Sequence, residues 1–169
     1  LLTPGSFDDM LYSMRVESPN RRETMTSLTD IDTARDIATK AHAGATRENR
    51  NTGETTPYID HVLRVQAMVG LWNMSHDAHI TALLHDVLED TDTTSADLKA
   101  AGISPEVIEA VEAISRRDGE VYTDFIDRVA GNELARAVKL SDLRDNMRDL
   151  PHDDTLRDRY KRAQARLEN

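Results

Sequence analysis

The residues best suited to chemistry lie in one short stretch, Leu83–Thr91, which contains a His-Asp pair and an acidic pair. The pair His85–Asp86 follows two apolar residues, and Glu89–Asp90 follows two more. In a helix of 3.6 residues per turn, the first pair lies directly above the second. Burying these polar groups without partners would be unfavourable. A metal ion is the simplest partner, so the stretch predicts a metal site.

Two residues elsewhere in the chain could complete the ligand set. His61 lies in the first turn of a predicted helix, and Asp142 is an acid within a predicted helix whose apolar residues include Val138, Leu140 and Leu143. With His85–Asp86 they provide imidazoles and carboxylates. Such a mixed set suits Mn, Fe or Zn better than Ca or Mg, and it leaves positions open for water or substrate.

The acidic pair Glu89–Asp90 is the candidate catalytic group. A bound divalent ion lowers the pKa of its water and supplies hydroxide near neutral pH. Acids one helical turn beyond the His-Asp pair could orient or deprotonate that water. The net charge of −10 repels nucleic acid and anionic lipid. A nucleotide site would therefore need a metal or clustered Arg and Lys side chains, and a DNA-binding role is disfavoured.

The elements that must position these residues are helices. Aromatic residues make up only 4% of the chain, Pro and Gly are few, and no segment shows convincing strand alternation. The fold class predicted is all-α, a single bundle of about eight helices, with a polar loop over 45–57. The wide apolar face of 58–72 predicts a central helix. Helices are expected at about 29–42 with a cap at Thr29, at 58–72, 76–90, 95–101 and 122–129, and after the capping residues Ser104, Asn132 and Asp153 or Asp154.

The length of 169 residues suits one domain. Residues 1–24 are predicted to be an N-terminal extension with one short helix near Phe7–Met14, and residues 25–169 to be the domain. No apolar run is long enough to span a membrane, and no secretion signal is present. The absence of cysteine fits a reducing cytoplasm. A homo-oligomer is compatible with the sequence.

Four segments occur in a characteristic order: Arg47, Pro57–His61, Leu84–Thr91 and Val138–Asn146. Over about residues 29–168 the chain resembles the HD-domain metal-dependent phosphohydrolases. The likeness is greatest to the hydrolase domain of the bifunctional alarmone synthetase/hydrolases and to the stand-alone small alarmone hydrolases. The resemblance implies an all-helical HD-type fold and one divalent ion, usually Mn²⁺. It also implies a nucleotide substrate, guanosine tetra- or pentaphosphate, from which pyrophosphate is removed at the 3′ position.

The resemblance also implies roles for individual residues. The implied positions are His61, His85, Asp86 and Asp142 as metal ligands, Glu89 and Asp90 as catalytic acids, and Arg47 and Asn146 on the substrate side. Arg116 and Arg117 occupy a loop position similar to one that supplies a cation in the family. His42 matches an Ala-His pair at the end of the first helix, where a structural and a direct role are equally open.

The chain departs from the alarmone hydrolases at two positions. Glu48 replaces the Lys that usually follows the loop Arg, and Asp145 replaces the His that the large enzymes have beside the Asn. A highly phosphorylated substrate needs cationic partners, which Arg50, Arg116, Arg117, Lys139 or Arg144 could supply. Two alternatives stay open. One is a phosphatase or nucleotidase acting on a deoxynucleotide or on the 2′-phosphate of NADPH, and the other is a non-catalytic nucleotide sensor or partner-binding domain.

Overall fold

The chain folds into helices joined by short connections, as the periodicity predicts. The computed structural model describes the backbone of residues 21–169 and the side chains of residues 30–169. The described elements are, in chain order, α1 (Arg21–Ala41), β1 (Thr46–Glu48), β2 (Thr55–Pro57), α2 (Tyr58–Leu71), α3 (His76–Leu84), α4 (Val87–Asp90), α5 (Ser95–Ala100), α6 (Pro105–Ile114), α7 (Tyr122–Ala130), α8 (Glu133–Arg148) and α9 (Thr155–Leu167).

The predicted N-terminal extension falls largely on positions 1–20, which lie outside the described residues. Its last four residues already belong to α1. The boundary between extension and domain therefore stays a prediction. The predicted cap at Thr29 is wrong, because α1 begins at Arg21 and runs through this position. The sequence before Thr29 is rich in good helix formers, so nothing there stops the helix.

Local capping signals fix the start of three later helices. Ser104 accepts a hydrogen bond from the Val107 amide at 3.3 Å, with Pro105 in the first turn of α6. Asn132 caps α8 through the Ala135 amide at 3.0 Å. Asp154, rather than Asp153, caps α9. These three predictions are confirmed. Such caps can be predicted from sequence because a side-chain cap depends only on residues within one turn.

The centre of the bundle is α3, which packs against α1, α2, α6 and α8. Residues on every side of this helix are buried, including Leu83 and Leu84 at 0% exposure. A helix that is apolar all round belongs in the interior. The predicted central helix, α2, is instead buried along one stripe, and its Leu71 is 83% exposed. No described helix is long and apolar enough to cross a membrane.

The segment predicted as a loop over 45–57 contains a small antiparallel ribbon. Arg47 on β1 pairs with Thr56 on β2. The Asn49 amide bonds to the Glu54 carbonyl at 2.8 Å, and Gly53 takes a left-handed φ of 76° in the turn. Three-residue polar strands are too short to show alternation in sequence. The ribbon matters because it carries Arg47 towards α8.

Candidate metal and active site

The helix predicted over 76–90 is interrupted at the His-Asp pair. α3 ends at Leu84, and α4 begins at Val87. In a continuing helix, the Ala82 carbonyl would accept from the amide of Asp86. It accepts instead from Nδ1–H of His85, at 2.7 Å. A carbonyl can only accept, so this bond places a hydrogen on Nδ1 and turns Nε2 towards the carboxylates of Asp86 and Asp142.

Three helices bring the predicted ligands together. One nitrogen each of His61 and His85 and one oxygen of Asp142 lie within 4.8 Å of one another, and all three residues are buried. Oδ2 of Asp86 lies 3.0 Å from Nε2 of His85 and 3.5 Å from Nε2 of His61. These donors come from α2, from the junction between α3 and α4, and from α8.

The donor set fits a divalent cation. Nε2 of His85 is buried and makes no hydrogen bond, although a carboxylate oxygen lies nearby. Burial opposes protonation of His61, but the hydrogen bonds that its ring donates to the carboxylates of Asp142, Asp145 and Asp86 outweigh it and raise the pKa of His61 to about 10. The cluster therefore favours a positive charge at this point. Imidazole nitrogens with carboxylate oxygens form the mixed set that transition metals prefer.

Asp142 is held in its charged form by a neighbouring lysine. Burial of the Asp142 carboxyl opposes ionisation, but Lys139 at 2.8 Å outweighs it and keeps the pKa of Asp142 below its usual value. The pKa of Lys139 is raised despite burial, chiefly by the charge of Asp142. Lys139 is thus committed to a predicted ligand, and it is not free to replace the cation missing at Glu48.

The acidic pair lies on α4, at the surface beside the ligands. Oε2 of Glu89 accepts a hydrogen bond of 2.8 Å from the Arg116 amide. Partial burial is the largest cause that raises the pKa of Glu89. The Tyr58 hydroxyl, with one proton to donate, lies 2.7 Å from Oδ2 of Asp86 and 2.9 Å from Oδ2 of Asp90. Tyr58 thus joins the ligand set to the acidic pair, a role that sequence reasoning missed.

The predicted substrate residues form a chain of contacts from the ligands to the ribbon. Nδ2 of Asn146 donates to Oδ1 of Asp142 at 2.6 Å, and Arg47 donates to Oδ1 of Asn146 at 2.5 Å. Nε of Arg47 lies 3.3 Å from Oδ2 of Asp149. Asn49 also donates to Asp149, at 3.1 Å. Asp149 therefore anchors the ribbon to the end of α8.

The second pair of predicted cations lies on the opposite flank, beside Glu89. Arg116 and Arg117 line a cavity of about 450 Å³ with Glu89 and Glu112. The Arg116 guanidinium donates to the carbonyl of Glu120, at 3.1 and 2.6 Å. The Arg117 side chain is exposed, and its backbone amide donates to Oε2 of Glu120 at 2.9 Å. Of the other candidate cations, Arg50 pairs with Asp154 at 2.8 Å and Arg144 with Glu168 at 3.9 Å.

His42 is buried beside the ligand set. Its ring stacks on Tyr58, with centroids 4.8 Å apart and planes at 27°. Burial is the largest cause that lowers the pKa of His42. Nε2 of His42 is buried and makes no hydrogen bond, so both a structural and a direct role stay open. Through this contact His42 touches Tyr58, whose hydroxyl lies between Asp86 and Asp90.

Two buried carboxylates gain a role from the structure that their sequence positions did not predict: Asp145 on α8 and Asp149 at the C-terminal cap of that helix. Asp145 lies 2.7 Å from Nδ1 of His61, and its other partner is Arg64. Asp145 and Asp149 are each 4% exposed. A signal was available, since positions 142, 145 and 149 follow the spacing of one helix face.

The chain is similar to known proteins along most of its length. A model of the HD domain matches residues 34–148. The guanosine-3′,5′-bis(diphosphate) 3′-pyrophosphohydrolase of Aquifex aeolicus is 34% identical over 129 residues, which cover 72% of this chain and 18% of the relative. The enzyme of that name called MESH1 in Drosophila melanogaster is 32% identical over 111 residues, covering 62% of each protein.

The chain thus spans less than a fifth of the first bacterial relative it matches. A solved structure, described as a metazoan ortholog of SpoT that hydrolyses ppGpp, superposes with a TM-score of 0.66. The two are 24% identical, and the match covers 90% of this chain and 86% of the other. This likeness confirms the predicted all-α fold.

Proposed function

The chain belongs to the HD-domain family, and from that premise we propose that it is a metal-dependent phosphohydrolase acting on guanosine tetra- or pentaphosphate. It removes pyrophosphate from the 3′ position. The observation that carries the proposal is the convergence of His61, His85, Asp86 and Asp142 beside the acidic pair of α4. A nucleotide substrate also fits the cytoplasmic location expected from the sequence.

The four converging side chains would hold one divalent ion, which we propose to be Mn²⁺. When bound, the ion would act as a Lewis acid on phosphate and lower the pKa of a water molecule. The orientation of His85 supports this assignment, because its Nδ1 is occupied by a backbone carbonyl and its Nε2 has no hydrogen bond. Two or more carboxylates beside two imidazoles favour Mn²⁺ over Ca²⁺ or Mg²⁺.

Glu89 and Asp90 would handle the proton during hydrolysis. Water attacks the phosphorus attached to the 3′ oxygen, the bond between them breaks, pyrophosphate leaves and the 3′ oxygen takes up a proton. Glu89 is suited to accept the proton of the attacking water, because burial raises its pKa towards neutral pH. The Arg116 amide holds Oε2 of Glu89, so Oε1 stays available for water.

Cations on both flanks of the ligand set would bind phosphate. Arg47 lies on the ribbon side, with the neutral amide of Asn146 beside it, and Arg116 and Arg117 lie beside Glu89 of α4. In a chain with a net charge of −10, such clustering supports an anionic substrate.

A nucleotide panel tests the substrate. The Mn²⁺-loaded chain is incubated with guanosine 3′,5′-bis(diphosphate), deoxynucleotides and NADPH, and the products are identified. Release of pyrophosphate and GDP from the first substrate is expected. Release of orthophosphate from another nucleotide alone would instead favour the phosphatase alternative, which the acidic Glu48 beside Arg47 supports.

Substitutions test the roles of the site and exclude a sensor. Asp86→Ala should abolish binding of Mn²⁺ and turnover. Glu89→Gln should keep Mn²⁺ but lower kcat by about 100-fold or more. Glu112→Gln is the matched control, because it removes one carboxylate from the same cavity. Unchanged kcat in Glu89→Gln would contradict the proposed role, and metal-loaded wild-type chain without turnover on any nucleotide would favour the sensor.

A further inference from the structure

Asp145 lies behind one of the proposed ligands, on the side away from the ligand set. It belongs to α8, three residues after Asp142, and it is 4% exposed. Its Oδ2 lies 2.7 Å from Nδ1 of His61. Arg64 on α2 forms a bidentate contact with the same carboxylate. Its Nε donates to Oδ1 at 2.8 Å and its Nη2 to Oδ2 at 2.9 Å. One carboxylate therefore joins two residues of α2 that are three positions apart.

This contact determines which nitrogen of His61 faces the other ligands. An ionised carboxylate can only accept hydrogen bonds, so Nδ1 of His61 must carry the hydrogen that it donates to Asp145. Nε2 is then the nitrogen available to a cation, and it is the atom that lies 3.3 Å from Asp142 and 3.5 Å from Asp86. A partner of this kind fixes both the tautomer and the direction of a ligating ring.

Arg64 makes the arrangement stable in the interior. Removing a carboxylate from water requires a partner of opposite charge with good geometry, and the two-pronged contact of Arg64 provides it. Nη2 of Arg64 also lies 3.6 Å from Oδ2 of Asp149, the residue that anchors Arg47. The orientation of His61 and the position of the ribbon thus share one guanidinium.

The geometry gives Asp145, the residue that departs from the family pattern, a role at the metal site. The resemblance predicts a His at this position, so the carboxylate counts as a lost cation for the substrate. Asp145 instead points to His61 and Arg64. The substitution adds negative charge behind a ligand and leaves the phosphate side to Arg47 and Asn146.

We propose that Asp145 is a positioning residue of the metal site: it orients His61 and keeps its Nε2 available, and thereby sets the affinity of the chain for a divalent cation. The proposal rests on the metal site proposed above. It does not depend on the identity of the nucleotide, because affinity for the ion is measured without substrate.

Calorimetric titration of the full chain with Mn²⁺ tests the proposal. Asp145→Ala should weaken Mn²⁺ binding by roughly 10- to 100-fold, the usual effect of losing such a partner. Asp145→Asn keeps an oxygen that accepts from Nδ1 and should weaken binding less. Asp153→Asn is the matched control, since Asp153 is an exposed carboxylate outside the site, and it should bind Mn²⁺ like the wild type.

Arg64→Met separates positioning from a purely structural role. This change removes the ion pair and keeps the contact between Asp145 and His61, so it should lower Tm yet weaken Mn²⁺ binding less than Asp145→Ala. Long-range ¹H–¹⁵N spectra of the imidazoles give an independent readout. In the chain loaded with diamagnetic Zn²⁺, His61 should carry its hydrogen on Nδ1 and bind through Nε2 in the wild type, and this single pattern should be lost in Asp145→Ala.

Three results would overturn the proposal. The first is wild-type affinity for Mn²⁺ in both Asp145 variants. The second is an equal loss of affinity in Arg64→Met and Asp145→Ala, which would assign the effect to the fold. The third is a wild-type chain that binds no divalent ion, which would remove the metal site as well. If the Mn²⁺ results are as expected but no alarmone is hydrolysed, the proposed function fails and the role of Asp145 stands.

Discussion

Arg128 connects the end of α6 to α7, and its removal gives a quantitative test of how the α4 side of the site is held. Nε and Nη2 of its guanidinium donate to the Glu120 carboxylate at 2.9 and 2.7 Å. The remaining donors bind the carbonyls of Glu112 at 2.8 Å, Ala113 at 2.9 Å and Ser115 at 2.9 Å. These carbonyls lie at the end of a helix, where the backbone offers them no partner.

Arg128→Met keeps the aliphatic part of the side chain and removes every one of these bonds. Breaking a buried ion pair lowers the free energy of unfolding by about 3–5 kcal/mol. We expect the lower end, about 3 kcal/mol, because the side chains of Arg128 and Glu120 are 20% and 14% exposed and water can reach part of the freed groups. Urea denaturation followed by circular dichroism measures the loss, and Tm should fall by roughly 6–12 °C.

The pH dependence provides the control. The hydrogen bonds from Arg128 are the main cause that lowers the pKa of Glu120 from 4.5 to about 2. Because the pKa is lower in the folded chain, the pair stabilises fully above pH 4.5, and its contribution disappears as the pH falls towards 2. The stability difference between wild type and Glu120→Gln should shrink over the same interval. A loss below about 1 kcal/mol in Arg128→Met, or a difference independent of pH, would refute the reasoning.

Three other substitutions address the substrate, the core and a helix cap. Glu48→Lys, at an exposed position beside Arg47, should lower KM for guanosine tetraphosphate several-fold with kcat nearly unchanged, and an equal change in KM at high salt would contradict the charge argument. Leu83→Ala, in the middle of α3 at 0% exposure, should destabilise by about 2–5 kcal/mol. Its control Leu71→Ala, at 83% exposure, should stay within about 0.5 kcal/mol of the wild type. Ser104→Ala should cost about 1 kcal/mol, and a loss near zero would show that Pro105 alone starts α6.

The parts of the fold that sequence predicts correctly are those that depend on neighbours in the chain. Ser104, Asn132 and Asp154 act through amides within one turn, so their patterns are sufficient. The ribbon over Thr46–Pro57 is different, because its strands are polar and three residues long. It depends on Asp149, about a hundred positions away, which accepts from the Asn51 amide at its own carbonyl. No local pattern contains that contact.

The site divides in the same way. His61, His85, Asp86 and Asp142 were predicted from residue type and spacing, and the structure brings them together. The interruption after Leu84 was not predicted, since no Gly or Pro marks it in the sequence. The bond from the His85 ring to the Ala82 carbonyl requires the ring to be packed in the interior, which only the assembled bundle provides.

Charge matching among the buried acids of α8 and the neighbouring helices explains where a cation belongs. Asp142 pairs with Lys139, Asp145 with Arg64 and Asp149 with Arg47. In the part of the chain that the structure describes, no Arg or Lys forms an ion pair with Asp86, whose side chain is 15% exposed and whose neighbours are Tyr58 and two imidazoles.

A carboxylate in such a place needs positive charge, and its own pKa is held well below the usual value mainly by the charge of His85, against the opposing effect of burial. A divalent ion would supply that charge and release both imidazoles from the need to be protonated. Asp142, Asp145 and Asp149 already have a Lys or Arg partner. A divalent ion placed at Asp86 would therefore disturb none of these ion pairs. The His85–Asp86 pair is therefore the place where the fold lacks a positive charge to balance a carboxylate.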